Sequence, residues 1–332
     1  DIITIPDPIG LTLEQWERPN GLKFRKISTP LGVLGVIYES RPNVTVDASC
    51  LSIKSGNSII LRGGSESINS NLALSRIIKE SLRECKMPIN MVQLINTTDR
   101  SAVSELLKLE QYVDVIIPRG GKSLIKKIST ESKIPVIKHL DGNCHVYIDS
   151  DADFKVAMKC TLNSKTQRYG VCNAAETLII HKEFSKPSII KILSALYEHD
   201  VEIRGCKKTK TIFKKAKLAN ESDWYEEYLK PIIAVKIVNS IDEAIDHIEK
   251  YGSRHTDSII SKNKNSQSRF LREVDSSSVM VNTSTRFADG FEYGLGAEVG
   301  ISTDKLHARG PVGLEGLTSE KYIVEGNGQL RA

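Results

Sequence analysis

The chain has 332 residues, 40% hydrophobic and 26% charged, with a net charge of +5, an ordinary globular composition long enough for two or three domains with sizeable cores. No run of about 18 apolar residues is present, which excludes an apolar membrane-spanning helix, and no secretory leader is visible. Lys and Arg are interspersed with Asp and Glu; the modest basic cluster Lys207, Lys208, Lys210, Lys214, Lys215 and Lys217 reads as a solvated face rather than a nucleic-acid surface. The chain begins at Asp1 without a Met, so a preceding segment is expected.

Residues 32–38, Gly-Val-Leu-Gly-Val-Ile-Tyr, read as a buried strand, and a helical pattern follows over about 43–55. After the turn signal Ser55-Gly56-Asn57, residues 58–61 form a second apolar run. A longer amphipathic helix carries Ile68, Leu72, Ile77, Ile78 and Leu82 near helical spacing. Residues 91–95 and 113–117 are the third and fourth runs, and a helix at about 122–132 precedes a fifth at 135–137. Continuous apolar strands alternating with helices predict right-handed crossovers and a parallel sheet covered on both faces. Residues 30–168 thus read as a doubly wound, nucleotide-type α/β domain. A second α/β set follows, with strands at 178–180, 232–238, 258–260 and 279–281 and helices near 186–199, 241–251 and 264–274. Residues 321–330 read as a lone strand with no local partner, which predicts pairing elsewhere.

The six cysteines, at 50, 85, 144, 160, 172 and 206, form no CxxC and no zinc spacing. Without a secretory signal, reduced thiols are expected. Cys50, Cys85 and Cys160 lie in or at the end of helical patterns and read as small core residues. Cys172 differs: in "QRYGVCNAAETLII", 167–180, it sits where a polar loop meets a strand and where the two α/β sets join. A core thiol and a nucleophile both remain open readings of it; loops and interdomain clefts favour the nucleophile.

There is no GxGxxG after the first strand, and "GLGAEVG", 294–300, lacks a preceding apolar strand. Two other glycine turns stand where strands end and helices begin: "LRGGSES", 61–67, and "IPRGGKS", 117–123. Each offers backbone N–H groups and an arginine beside a helix N-terminus, which suits a phosphate-bearing ligand. Arg62 or Arg119 is positioned to pair with a ribose 2′-phosphate. None of the seven histidines has ligand spacing, so no metal is expected.

The strings "PLGVLGVIYESRPNVTVDASCLSIKSGNSIILRGGSES", "VDVIIPRGGKSLI", "DGNCHVYIDSDAD", "GVCNAAETLIIH" and "FEYGLGAEVGISTDKLHARGPVGLEGLTSEKYIVEGNGQLR" resemble the γ-glutamyl phosphate reductase (glutamate-5-semialdehyde dehydrogenase) family over nearly the whole chain. That family belongs to the aldehyde dehydrogenase superfamily, whose members bind the dinucleotide without the usual fingerprint. The resemblance implies an aldehyde dehydrogenase-like α/β fold. It would have a doubly wound NADP-binding domain over 1–168, lacking the N-terminal helical segment of other members. A second α/β catalytic domain would span 169–285, and a return segment with a C-terminal oligomerisation strand 286–332. The activity implied is NADPH-dependent reduction of L-glutamyl 5-phosphate to L-glutamate 5-semialdehyde and phosphate through a cysteine thioester, in L-proline biosynthesis. A cytoplasmic homo-oligomer functionally coupled to glutamate 5-kinase is implied as well, with no nucleic-acid or membrane partner. The alternative is the reductase half of a bifunctional kinase–reductase, pyrroline-5-carboxylate synthase.

The same resemblance implies roles for single residues. Cys172 corresponds to the catalytic thiol and Asn43 to the oxyanion-side asparagine. The turn Arg62-Gly63-Gly64-Ser65 takes the place of the adenosine-ribose and 2′-phosphate site, and Pro118-Arg119-Gly120-Gly121 that of the pyrophosphate-side loop. Glu227 in "YEEYLKP" corresponds to the glutamate that holds the nicotinamide ribose, although Leu229 replaces the usual Phe. In "HLDGN", His139 stands where oxidising aldehyde dehydrogenases carry a water-activating glutamate, as a reductase that must preserve its thioester requires. A substrate bearing carboxylate and phosphate needs cations, and Arg41, Arg286, His307 and Arg309 are the candidates.

Overall fold

The computed structural model describes residues 2–331. The chain divides into two compact units, one made of the residues up to Lys138 together with those from Gly294 onward, the other of His139–Tyr293.

The first unit opens with strands β1 (Thr12–Glu17), β2 (Lys23–Pro30) and β3 (Val33–Tyr38) and helix α1 (Asn43–Lys54). It continues through β4 (Ser58–Arg62), α2 (Ile68–Glu84), β5 (Val92–Leu94), α3 (Ser101–Leu106), β6 (Val115–Arg119) and α4 (Lys122–Glu131). Strands β5-β4-β3-β6 form a parallel sheet. Leu34, Val36, Leu51, Ile59, Leu61 and Ile117 pack one buried layer, while Ile37, Leu107, Ile116 and Ile128 pack another. This is the doubly wound arrangement that the continuous apolar runs predict. The fifth run, 135–137, contributes only a single parallel bridge, Val136 to Ile116.

The second unit holds β7 (Cys144–Ile148), α5 (Phe154–Thr166), β8 (Ala175–His181), α6 (Lys186–Glu198), β9 (Glu202–Gly205), α7 (Lys207–Ile212) and β10 (Lys217–Leu218). β11 (Ile232–Val238), α8 (Ile241–Tyr251), β12 (Thr256–Ile260), α9 (Lys264–Glu273) and β13 (Ser278–Val281) complete it. Its sheet is parallel throughout, in the order β10-β9-β11-β8-β7-β12-β13. Side-chain caps fix the entries of three helices: Asp153 accepts from the Lys155 and Val156 N–H groups, Ser240 from Glu243, and Asn263 from Asn265 and Ser266.

The unit boundaries differ from those expected at 168 and 285. Strand β7 lies inside the second sheet, between β8 and β12, and α5 leads into β8. β7 escapes an apolar-run search because its buried residues include His145 and Tyr147, which are satisfied internally: His145 by Asp257 at 2.8 Å and Tyr147 by Asp149 at 3.0 Å. Along the chain, Cys172 therefore falls within the residues of the second unit.

After the second unit the chain adds to the first the antiparallel pair β14 (Gly300–Ser302) and β15 (Gly310–Val312), then β16 (Thr318–Glu325). β16 pairs antiparallel with β2, from Thr318 opposite Pro30 to Glu325 opposite Lys23, in the sheet β1-β2-β16. The strand expected at 321–330 thus begins three residues earlier and finds its partner in its own chain. That partner went unread because β1 and β2 are rich in charged and polar residues. Their apolar contribution is local, with Trp16 stacked on Phe24 at 5.3 Å.

Candidate active site around Cys172

Cys172 lies in a turn between α5 and β8. Because the sheet is parallel, the segments entering β7, β8 and β12 meet at one edge: Cys144 pairs with Ala175, and Asp257 with His145. Four contacts fix this turn, two on the Cys172 backbone and two on Asn173. Gly142 lies against it so closely that a Cβ at 142 would stand 1.9 Å from the Cys172 carbonyl oxygen and 2.5 Å from its Cα. The Cys144 thiol donates to that same carbonyl at 3.1 Å. The Asn173 amide donates to the Ala288 carbonyl at 2.9 Å, and the Thr285 hydroxyl donates to the Asn173 carbonyl at 2.7 Å. A thiol carried on a backbone pinned from both sides is pre-organised in the way nucleophilic catalysis needs.

The electrostatics separate the two thiols. Burial pushes the Cys144 thiol well above its usual range, with the Asp257 carboxylate adding to the effect, so Cys144 is neutral. Arg286 donates its Nε to Gln167 at 2.8 Å. Burial lowers its pKa, while the negative charges of Asp289 and Cys172 act on it in the opposite sense. Arg286 is therefore the sequence-selected cation that the structure brings to Cys172. His255 is fully buried and pushed down to about 3 by burial and by the charge of His139. Its Nδ1 lies 2.8 Å from the Thr256 hydroxyl and 3.7 Å from the Cys144 sulfur, and its Nε2 meets no partner. The His139 ring stands edge-on to it at 5.4 Å. Glu227, 8% exposed, accepts the Gly142 N–H at 2.7 Å. In this conformation the residue selected for a ribose instead anchors the glycine that presses on Cys172.

The other selected residues lie in the first unit. The two glycine turns close β4 and β6 as expected. Each has an internal carboxylate at it. The Glu39 carboxylate accepts the Gly121 N–H at 2.8 Å at the start of α4, and a Cβ at Gly120 would come within 2.5 Å of it. The Glu66 carboxylate accepts from the Ser40 hydroxyl at 3.3 Å, and a Cβ at Gly64 would stand 2.8 Å from it. Gly63 has a packing reason to be glycine, because a Cβ would meet the Asn71 amide at 2.1 Å. An α4 N-terminus that already holds one carboxylate is an anion-accepting position, which fits a dinucleotide phosphate. Arg62 ends β4 at the first of these turns. It is 8% exposed, and its guanidinium donates to the carbonyls of Gly63, Thr98 and Asp99 at 3.0, 3.3 and 3.2 Å.

Pro118 and Arg119 end β6 beside Ile37 and Tyr38, and Ser65 opens a short 3-10 turn. Asn43 is exposed at the start of α1 and donates to Asp47 at 3.0 Å, one turn on. Arg41 and Arg309 are exposed, and the exposed His307 ring lies 2.9 Å from the Thr318 carbonyl. Among the described residues, no cluster of three or more His, Cys, Asp or Glu could hold a metal, and no helix is long and apolar enough to cross a membrane.

Sequence reasoning missed Gly142 as a packing residue, Asn173 and Thr285 as backbone clamps, and the buried pair Lys165–Glu176 at 2.5 Å. Only the last left a signal: Glu176 interrupts the apolar strand Ala175–His181, and a carboxylate inside such a strand demands a buried partner.

The Aldehyde dehydrogenase family profile matches residues 12–202. The crystal structure of γ-glutamyl phosphate reductase from Thermotoga maritima is 46% identical over 100% of this chain and 80% of its own, with a TM-score of 0.98. The Saccharomyces cerevisiae γ-glutamyl phosphate reductase is 37% identical over 100% of this chain and 78% of its own, with a TM-score of 0.46. An acetylating aldehyde dehydrogenase from Geobacillus thermoglucosidasius is 18% identical over 97% of this chain and 81% of its own. Its TM-score of 0.71 is a likeness of fold.

Proposed function

We propose a reaction for the Cys172 site from a plain premise: this chain belongs to the γ-glutamyl phosphate reductases, within the aldehyde dehydrogenase family. The family makes it an oxidoreductase of proline biosynthesis that works with a nicotinamide dinucleotide. The specific reading is reduction of L-glutamyl 5-phosphate to L-glutamate 5-semialdehyde and phosphate, with NADPH as the reductant. The observation that carries it is Cys172, pinned by Gly142, Cys144 and Asn173 and within the field of Arg286.

The chemistry follows from those residues. Arg286 favours the thiolate form of Cys172, which is the nucleophile. The sulfur attacks the γ-carbonyl, the C–O bond to phosphate breaks, and the phosphate leaves with the electron pair, so that Cys172 carries a thioester. Backbone N–H groups of the turn receive the carbonyl oxygen as it gains charge. A nicotinamide dinucleotide held by the chain would supply the hydride that reduces the thioester carbon. Collapse of the resulting hemithioacetal returns the electron pair to the Cys172 sulfur and frees the aldehyde. His139, standing where a water-activating carboxylate would otherwise be, leaves the thioester unhydrolysed. The first unit's turns at Gly63-Gly64 and Gly120-Gly121 would hold the cofactor phosphates, with Glu39 giving up the Gly121 N–H. A cytoplasmic assembly of identical subunits through the outer edge of β16 belongs to the same reading.

The test is the reverse reaction on the full-length protein, with glutamate semialdehyde, phosphate and NADP⁺. NADPH should form continuously, beyond one equivalent per Cys172, only with phosphate or arsenate. Cys172→Ala should abolish this and Cys144→Ala should retain it within about tenfold, because Cys144 holds only one of the four contacts on the turn. Steady oxidation without phosphate, or a dead Cys144→Ala beside an active Cys172→Ala, would overturn the reading.

A further inference from the structure

The thiol site contains a charge pair for which the proposed reaction has no use. Lys165 lies in the last turn of α5 and Glu176 is the second residue of β8, so together they close the two ends of the loop that carries Cys172. Both side chains are 0% exposed, with Nζ 2.5 Å from Oε2. A buried ion pair is a poor stabiliser, since well-packed apolar side chains often do as well. A role other than stability is therefore called for.

Its connections indicate one. The other oxygen of Glu176 accepts the Leu229 N–H at 3.2 Å. Two residues before Leu229, Glu227 accepts the Gly142 N–H, and Gly142 presses on Cys172. The pair is thus joined to Cys172 twice, along the loop and through the turn at 227–229. We propose that Lys165 and Glu176 are positioning residues for Cys172, clamping its loop and setting the charge that the thiol experiences. This rests on Cys172 being the reactive thiol. The groups facing Glu176 are Lys165 from α5 and Glu227 and the Leu229 N–H from the 227–229 turn; those facing Lys165 are Glu176, Cys144 and Glu227. With Glu176 neutralised, the Lys165 cation is unopposed and favours the thiolate. With Lys165 removed, that cation is lost and the thiolate is disfavoured.

The experiment is the rate of Cys172 alkylation by iodoacetamide against pH, read on the Cys172 peptide by mass spectrometry in the full chain. Glu176→Gln should move the profile down by about half a pH unit and Lys165→Met up by about as much. A merely structural pair would move both the same way or neither. If the single variants fail to fold, the double variant Lys165→Met/Glu176→Met removes both charges together. It should give an alkylation profile close to that of the unaltered protein but a kcat at least about tenfold lower, with KM within about threefold, because the clamp is gone while the binding residues remain. Single variants shifting in the same direction, or an unimpaired kcat in the double variant, would overturn the proposal. Should Cys172→Ala prove fully active, the reaction assigned to the site would fail instead, whatever the alkylation profiles show.

Discussion

The position of Cys172 turns on a glycine. Gly142 touches the cysteine's own backbone, so Gly142→Ala must push the Cys172 carbonyl and Cα out of place. Misplacement of about 1 Å can cost about 100-fold in rate. We expect a loss of that order in kcat with the circular-dichroism spectrum retained; full activity would show that this contact does not hold the thiol. Arg62 makes a second prediction. Its guanidinium ties the segment at Thr98–Asp99 to the glycine turn, so Arg62→Ala should weaken NADPH and NADH alike. A loss confined to NADPH in steady-state titrations would show instead that Arg62 reads the 2′-phosphate. Cys172 could be found from sequence because a polar loop runs into an apolar strand. Lys165 could not, because a lysine near the end of a helix looks like a solvated charge until its partner eleven residues later is seen to be buried with it.

Among the elements, the helices α2, α8 and α9 and the apolar strands β3, β4 and β11 lie where their periodicity puts them, within a residue or two. They bury one apolar face or two, and that is what a periodic pattern records. β7 was hidden because its inward polar groups are satisfied by Asp257 and Asp149. β1 and β2 were hidden because a small, half-exposed sheet needs few apolar residues. The sheet β1-β2-β16 leaves the outer edge of β16 without a neighbour among the described residues, and Tyr322 and Val324 are 63% and 51% exposed on it. Natural proteins cover such edges. Deleting residues 320–332 should lower the mass seen by light scattering and also lower Tm, since the pairing with β2 goes too. An unchanged mass would exclude this strand as the assembly element.

For the molecule as a whole, the second unit ties stability to pH through buried groups. His247 and His255 are buried and neutral, pushed down to about 2 and about 3 chiefly by burial. Their contribution is complete above the unfolded histidine pKa of about 6.5 and is lost as pH falls below it, at about 1.4 kcal/mol per pH unit for each. Glu176, pushed up to about 7 by burial, acts the other way between about pH 4.5 and 7, where the folded state holds its proton. Urea midpoints from pH 7 to 5 should therefore fall for the unaltered protein, fall less steeply for His247→Gln and more steeply for Glu176→Gln. Parallel slopes in all three would contradict the assignment of these groups. The central claim, a γ-glutamyl thioester on Cys172 that phosphate and not water discharges, is tested most directly by a single turnover. The full-length protein, mixed with glutamate semialdehyde and NADP⁺ without phosphate, should release one equivalent of NADPH and stop, with one glutamyl acyl group on the Cys172 peptide by mass spectrometry. Added phosphate should then remove the acyl group and restart turnover. Continuous NADPH formation without phosphate, or an acyl group on any residue other than Cys172, would contradict it.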